Sequence, residues 1–479
     1  MAYQKTPLQP STEKIINQNP MRDEIVGVDK EAPLLDGSHR TYVNLDNAAS
    51  TPAFRRVREK VDEALTVYSS VHRGSGFKSL LSTHLYDKAR EVTAKFVGAD
   101  LNSQSVIFVK NATEAINKLA RRFPFEPGDL VLATVMEHHS NDLPWRTRAK
   151  VLYAGLLPDG SLDVEDLAQK LRQNAGKVRV VAVTGASNVT GYLPPIYEIA
   201  ELTHQYGAKI MVDCAQLLPH RLIRAGLPDT PRHLDFVAFS GHKVYAPYGG
   251  GALIGPKDFF NRGDPDHVGG GTVEMVTLEE VEWTHTPDRD EAGSPNVIGA
   301  IALAASLEQL SEFGMERIAA HEAELTRYTL TRLGQMEGIQ IHGSADPNRL
   351  DERVGVIPFE VVGMPHAKLA AILGFEGAIG LRNGCFCAHP YVLRLLNVSQ
   401  EEFLTYRQRV LSHDRSHLPG FVRLSFGCYN NFEDIDRLME MLERIVAGDY
   451  HGEYLPDRSS GSYYPKGFEM RELDRYFSF

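Results

Sequence analysis

Between about residue 104 and residue 254 the chain alternates short apolar runs with helical stretches, and that rhythm constrains the fold more than any other feature. The runs are Ser105–Val109, Leu130–Thr134, Val178–Val183, Ile210–Val212, Phe236–Phe239 and Ala252–Ile254. Helical spacing fills the gaps at Thr113–Arg122, Val164–Gln173 and Ile196–Tyr206. Apolar strands joined by crossover helices predict an α/β fold, a mostly parallel sheet with helices on both faces. Upstream, helical periodicity covers Arg55–Tyr68 and Leu80–Val97, around the Gly-rich loop Val71–Lys78. Downstream, 265–296 is loop-like, and a long helical region runs from Val297 to about Gln335. A smaller α+β region follows to about Val446, closed by the amphipathic helix Glu433–Ile445.

This divides the chain into four segments. Residues 1–40 are polar and proline-containing, an extended arm rather than a core element. Residues 41–320 make a large α/β domain whose first residues can pack with the next segment, and 321–447 make a small α+β domain. The tail, 448–479, is rich in Tyr, Ser and Gly and reads as irregular. A chain of 479 residues is long enough for two such cores. A net charge of -11 without a basic stripe argues against a nucleic-acid surface. No apolar run reaches the length of a membrane span, and the polar N-terminus has no signal-like apolar core, so the expectation is a cytoplasmic protein off the membrane. Four cysteines (Cys214, Cys385, Cys387 and Cys428) are too few for a disulfide framework in so long a chain and are expected as free thiols.

Chemistry-bearing residues recur just past the strand ends, where α/β sheets hold their ligands. Lys243 follows Phe236–Phe239 across Ser240-Gly241-His242. A lysine partly desolvated there loses pKa and becomes a nucleophile able to form a Schiff base with a carbonyl or with pyridoxal phosphate. A solvated loop lysine fits the same spacing, so partners decide. Pyridoxal phosphate needs a phosphate cradle, and Ala112 and Thr113 at a helix N-terminus offer N–H groups and a hydroxyl, as an ordinary helix cap would too. It needs a carboxylate to keep its pyridine nitrogen protonated, and Asp213 ends Ile210–Val212. Gln216 and Asn188 are placed to reach the ring hydroxyl, and His138 to stack on the ring. Each residue alone has an ordinary structural reading. Five on successive strand ends (Thr113, His138, Asn188, Asp213 and Lys243) point to one site.

The chain resembles the class V aminotransferase superfamily of fold-type I pyridoxal phosphate enzymes, and within it the group II cysteine desulfurases and selenocysteine lyases. The likeness rests on LDNAAST (45–51), VHRG (71–74), NATEAIN (111–117), EHHSN (137–141), SNVTG (187–191), VDCAQ (212–216), FSGHK (239–243), GGGT (269–272), EAGSPN (291–296) and RNGCFCA (382–388), in order from about 42 to 446. It implies that Lys243 forms the Schiff base, Asp213 pairs with the pyridine nitrogen, and His138 stacks on the ring and shuttles protons. Thr113, Ser240 and His242 would hold the phosphate. A neighbouring subunit would reach that phosphate through Thr272 and Ser294, which implies a homodimer.

The same resemblance makes Cys387, in Asn383-Gly384-Cys385-Phe386-Cys387-Ala388, the thiol on a mobile loop that attacks the sulfur of substrate cysteine. Alanine would leave, a persulfide would remain on Cys387, and a sulfur-acceptor protein could take it. Arg423 matches the arginine that binds the substrate carboxylate, with Arg382 as assistant. Cys385 departs from the family pattern. It could resolve the persulfide, bind a metal with Cys387, or simply pack; no metal site is assigned. Related chemistries stay open on the same residues: C–S β-lyase, aminotransferase or epimerase, and, without catalysis, a sulfur-relay or regulatory protein on this fold.

Overall fold

A computed structural model describes residues 19–226 and 230–477. Seven strands form the central sheet: β1 (Gln104–Val109), β2 (Leu130–Thr134), β3 (Lys150–Ala154), β4 (Val178–Thr184), β5 (Lys209–Asp213), β6 (Phe236–Ser240) and β7 (Gly251–Pro256). Their spatial order is β1-β7-β6-β5-β4-β2-β3, parallel except for β7, which runs against β1 and β6. Strand side chains alternate between two apolar layers. Leu132, Val181, Val183, Ile210, Val212 and Val237 enter one. Val131, Val180, Ala182, Met211, Phe236 and Ala238 enter the other, under helix α1 (Ala112–Arg122). Each of the larger of these side chains, from valine upward, contributes about 1.5–3 kcal/mol on burial. The α/β class read from the strand–helix rhythm is the fold observed. The edge strand β3 escaped the pattern because its residues are only partly covered.

A second, four-stranded antiparallel sheet comprises β8 (Ile339–Ile341), β9 (Val356–Val361), β10 (Arg382–Gly384) and β11 (Phe421–Ser425), in the order β8-β9-β11-β10. It has its own core, which also takes in Val43 and Leu45. Val43–Asn44 pairs in parallel with Ile379–Gly380, so these early residues do pack with the smaller region.

Four local expectations need correction. Residues 1–18 of the proposed arm lie outside the described residues, but from Asn19 the arm enters the core: Met21 and Ile25 are buried, and Asn19 Nδ2 donates to Cys428 O at 2.9 Å. Three scattered apolar residues, Met21, Ile25 and Val28, on a series of turns leave no period to read. The long helical region breaks at Gly314, whose φ of +85° ends Val297–Phe313 and starts Met315–Leu333. Within the loop-like 265–296, Val273–Val276 pairs with Val281–Trp283 as a hairpin. In the tail, Tyr454–Pro456 pairs with Tyr463–Pro465, and the buried Tyr454 hydroxyl donates to Glu376 Oε1 at 3.0 Å. Three-residue strands are too short to show alternation. Among the described residues, no single helix is long and apolar enough to cross a membrane.

Candidate active site

The carboxyl ends of β1, β2, β4, β5 and β6 open onto one cavity of about 210 Å³. Ala112, Thr113, His138, Asn188, Asp213, Gln216, Ser240, His242 and Lys243 line it from the large sheet. Arg382, Cys387 and Arg423 close it from the smaller region, with Phe386. Thr272 and Ser294 are elsewhere: Thr272 is buried in its own loop, its hydroxyl on Gly269 O at 2.8 Å, and Ser294 is exposed.

Lys243 ends a tight turn, Gly241–Lys243, that follows β6 directly. Only glycine fits at 241, because a Cβ there would come within 2.8 Å of Gly250 O. The Lys243 amine makes no hydrogen bond within the described chain; the surrounding protein desolvates it and pushes the pKa down, and Asp213 pulls it back up. Asp213 is buried, which pushes its carboxyl up, against the lowering effects of the Ala215 N–H at 3.0 Å and of Lys243. Beside it, Gln216 Oε1 is buried with no hydrogen-bond partner. An unmet acceptor costs about 1–3 kcal/mol, so a donor brought by a ligand would be held there.

His138 Nδ1 accepts the Ser140 N–H at 3.1 Å, which puts the neutral ring's proton on Nε2. Burial, then the Lys243 charge, pushes this histidine down to about 3. The sign follows. The unfolded chain binds a proton near pH 6.5 and the folded chain does not, so this contribution to stability is present above pH 6.5 and is lost as pH falls toward 3. Proton uptake on unfolding at pH 4–6 is expected to drop by about one proton in His138→Gln, measured from the pH slope of urea-unfolding free energies. A slope equal to wild type would show that His138 titrates normally.

Sequence reasoning missed the support beneath His138. The Glu137 carboxylate accepts from Thr134 Oγ1 (2.6 Å), Asn141 Nδ2 (2.7 Å) and Thr184 N (3.0 Å), tying the β2 turn to β4. Burial still raises it to about 8. An acid after a strand with an Asn four residues on was the available signal.

At the other end of the cavity, α1 presents its N-terminus, favourable for an anion. The Ala112 N–H expected there donates instead to Ser240 Oγ at 2.8 Å. The Thr113 and Ser140 hydroxyls pair at 2.7 Å. His242 Nδ1 lies 3.3 Å from Ser50 Oγ, and burial, then Lys243, pushes its ring down to about 4.

On the facing wall Arg382 and Arg423 are direct cross-strand partners. Like charges so placed repel, and Asp46, a residue given no role from sequence, answers both. Its Oδ1 takes Arg423 Nη2 at 2.9 Å and its Oδ2 lies 3.8 Å from Arg382 Nη1. Arg423 Nη1 donates to Asn188 O at 2.8 Å, and its Nε has no partner.

The segment expected to swing is docked here. Phe386 and Cys387 hold φ of +50° and +54°, a strained region for side-chain-bearing residues. Asn188 Nδ2 donates to Phe386 O, and His139 N to Cys387 O, both at 2.8 Å. Asn188 thus lines the cavity, as the sequence implied, and also holds this segment. Cys387 is exposed to the cavity. Cys385 is half-buried and donates its S–H to Pro419 O at 3.1 Å; burial pushes it up to about 12, so it stays a thiol near neutral pH. Neither cysteine lies in a group of side chains close enough to share an ion, among the described residues.

Comparison with known proteins agrees with the geometry. A probable cysteine desulfurase of Halalkalibacterium halodurans is 34% identical over 430 residues, 87% of this chain and 97% of the relative. The cysteine desulfurase of Dickeya dadantii is 34% identical over 420 residues, 86% and 93% of the two chains. Among solved structures, apo cysteine desulfurase from Thermococcus onnurineus NA1 superposes with a TM-score of 0.74 at 31% identity, covering 85% of this chain and 95% of that one. The cysteine desulfurase CsdA of Escherichia coli gives 0.73 at 27%, covering 89% and 98%. The family model for aminotransferase class-V matches residues 43–438, more than four-fifths of the sequence, and the chain belongs to that family.

Proposed function

We propose that the chain is a pyridoxal phosphate-dependent cysteine desulfurase, converting L-cysteine to L-alanine and leaving a persulfide on Cys387. One observation carries this reading: Lys243, Asp213, paired arginines and an exposed thiol line a single cavity. The relatives named above supply the substrate. The residues also fit the cofactor. Asp213 is a buried carboxylate for a protonated ring nitrogen, and Gln216 Oε1 is an unmet acceptor for a ring hydroxyl. Lys243 is an amine with depressed pKa. Thr113, Ser240, His242 and the Ala112 end of α1 favour a phosphate. Thr272 and Ser294 have no place in the cavity of their own chain and are assigned to that of a second copy, in a cytoplasmic homodimer.

When bound there, pyridoxal phosphate supplies an electron-withdrawing ring that stabilises negative charge at the substrate's α-carbon. Arg423 takes the substrate carboxylate as Asp46 gives way, with Arg382 assisting. Lys243 accepts the α-proton and returns one to carbon. His138, neutral with its proton on Nε2, exchanges a proton with the reacting substrate. The Cys387 thiolate attacks the substrate sulfur; the carbon–sulfur bond breaks, a sulfur–sulfur bond forms, and the departing electron pair ends in the C–H bond of alanine. A thiol-bearing acceptor protein then takes the sulfane sulfur.

Incubating the cofactor-loaded protein with L-cysteine and a reductant tests this. Alanine and sulfide in equal amounts are expected. Pyruvate with ammonia would establish a β-lyase instead and overturn the assignment.

A further inference from the structure

Away from the cavity, at the amino edge of the large sheet, two histidines converge on one buried carboxylate. Asp235 stands immediately before β6 and is 1% exposed. His204 lies in the last turn of the helix Ile196–Gln205, and Lys209 begins β5. His204 Nε2 is 2.8 Å from Asp235 Oδ2, and His233 Nε2 is 3.4 Å from Asp235 Oδ1. The two rings stack, with centroids 4.1 Å apart and an interplanar angle of 14°. Strands β5 and β6 run parallel, so the cluster occupies the opposite end of them from Lys243. The proposed reaction makes no use of it.

The hydrogen bonds fix which nitrogens are available. His204 Nδ1 lies 2.8 Å from Pro231 O, and His233 Nδ1 lies 2.6 Å from Thr230 O. A carbonyl oxygen only accepts, so each Nδ1 carries a proton. In the neutral rings each Nε2 is then a lone pair aimed at a carboxylate, acceptor against acceptor. A cation must stand between them. Protons on both rings would stack two imidazolium ions face to face and crowd them, with Lys209 Nζ at 2.7 Å from Oδ1, around a single negative charge. A proton on one ring alone would leave the other lone pair unanswered. One divalent ion answers both rings and the carboxylate together, and keeps the stacked rings neutral.

We infer that His204 Nε2, His233 Nε2 and Asp235 bind one divalent transition ion of the zinc class, with water completing the coordination. Their ligand atoms lie within 4.8 Å of one another. Tetrahedral zinc sets such atoms about 3.3 Å apart, a small side-chain rotation away. The surroundings match those of metal-binding imidazoles and carboxylates: each ring gives its Nδ1–H to a backbone carbonyl, and the Ile210 N–H holds Asp235 Oδ2 at 2.9 Å. The negative end of the helix Ile196–Gln205 adds to the attraction for a cation. Two imidazoles favour zinc, nickel or copper over magnesium or calcium. Lys209 opposes the ion, but its side chain is half exposed and its ammonium turns to solvent when the ion enters. Once bound, the ion fastens residues 230–235 to that helix and to the start of β5.

Equilibrium dialysis of the cofactor-loaded full chain against zinc chloride, with bound metal read by plasma mass spectrometry, tests this without any activity readout. Failure here therefore leaves the proposed reaction standing. The wild type is expected to hold one zinc per chain more than His233→Gln, and His204→Gln should lose the same equivalent. Lys209→Met removes the competing cation and should bind that zinc about tenfold more tightly. This gain of affinity keeps the test decisive even where a histidine variant fails to fold. Zinc retained in full by both histidine variants would place the ion elsewhere, at Cys387 for example, and would overturn the inference. So would a wild type that binds none, or a Lys209→Met chain that binds no more tightly than the wild type.

Discussion

Lys243→Ala is expected to purify without the visible absorbance of a lysine-bound pyridoxal phosphate and to lose cysteine turnover. The loss of proton transfer alone is worth about 10²–10⁴-fold. Lys243 is the single lysine among the cavity-lining residues, so no neighbour can substitute for it. Two features of its setting make the effect large. Desolvation holds its pKa below the usual lysine value, which raises the fraction present as free amine. The turn at Gly241 carries it into the cavity directly from β6, with backbone packing too tight for any other residue. Lys243→Arg separates charge from nucleophilicity, since a guanidinium keeps the cation but does not deprotonate. It should lose the band equally, while remaining folded by circular dichroism. Borohydride reduction of the wild type followed by peptide mapping should place the adduct on Lys243. A retained band in Lys243→Ala, or an adduct on another lysine, would refute the assignment.

The parts of this site visible in the sequence are those that a parallel sheet dictates. Thr113, His138, Asn188, Asp213 and Lys243 follow strands that all point the same way, so their positions in the chain already place them on one edge. Strand β3 was missed, yet the site was not disturbed, because β3 is the far edge strand and none of its residues lines the cavity. The parts that stayed hidden depend on what crosses between the two cores. Asp46 sits where residues 43–46 pair with Ile379–Gly380 and Ser425; its role appears only once Arg382 and Arg423 are seen to be cross-strand partners, and strand register across a 41-residue separation has no sequence signature. Asn188 follows β4 and lines the cavity as its place in the chain implied, but the bond from its amide to Phe386 O, on a segment nearly two hundred residues away, was not legible. Two cysteines two residues apart looked alike in sequence. The Pro419 carbonyl separates them by holding Cys385 as a thiol.

That separation yields the second large effect. Cys387→Ser is expected to abolish persulfide formation and sulfide release from L-cysteine while leaving the cofactor band intact, whereas Cys385→Ser should keep most of both. The serine hydroxyl preserves size but is far less nucleophilic than a thiolate near neutral pH. The cofactor band survives because Cys387 belongs to the facing wall and makes no hydrogen bond to Lys243 or Asp213. Cys214 and Cys428 are buried and Cys385 is partly covered, so only Cys387 is exposed to take up sulfur. The backbone around it also favours transfer. Left-handed φ values at Phe386 and Cys387 store strain against a few hydrogen bonds, from Asn188 and His139, and their release lets the segment leave the cavity with its cargo. Mass spectrometry of tryptic peptides after a single turnover without reductant should find one added sulfur on the peptide bearing Cys387. In Cys387→Ser it should find none. An added sulfur that persists in Cys387→Ser and vanishes in Cys385→Ser would transfer the nucleophile to Cys385. Sulfide release with neither cysteine present would mean that the carbon–sulfur bond breaks by elimination, without attack by a thiol.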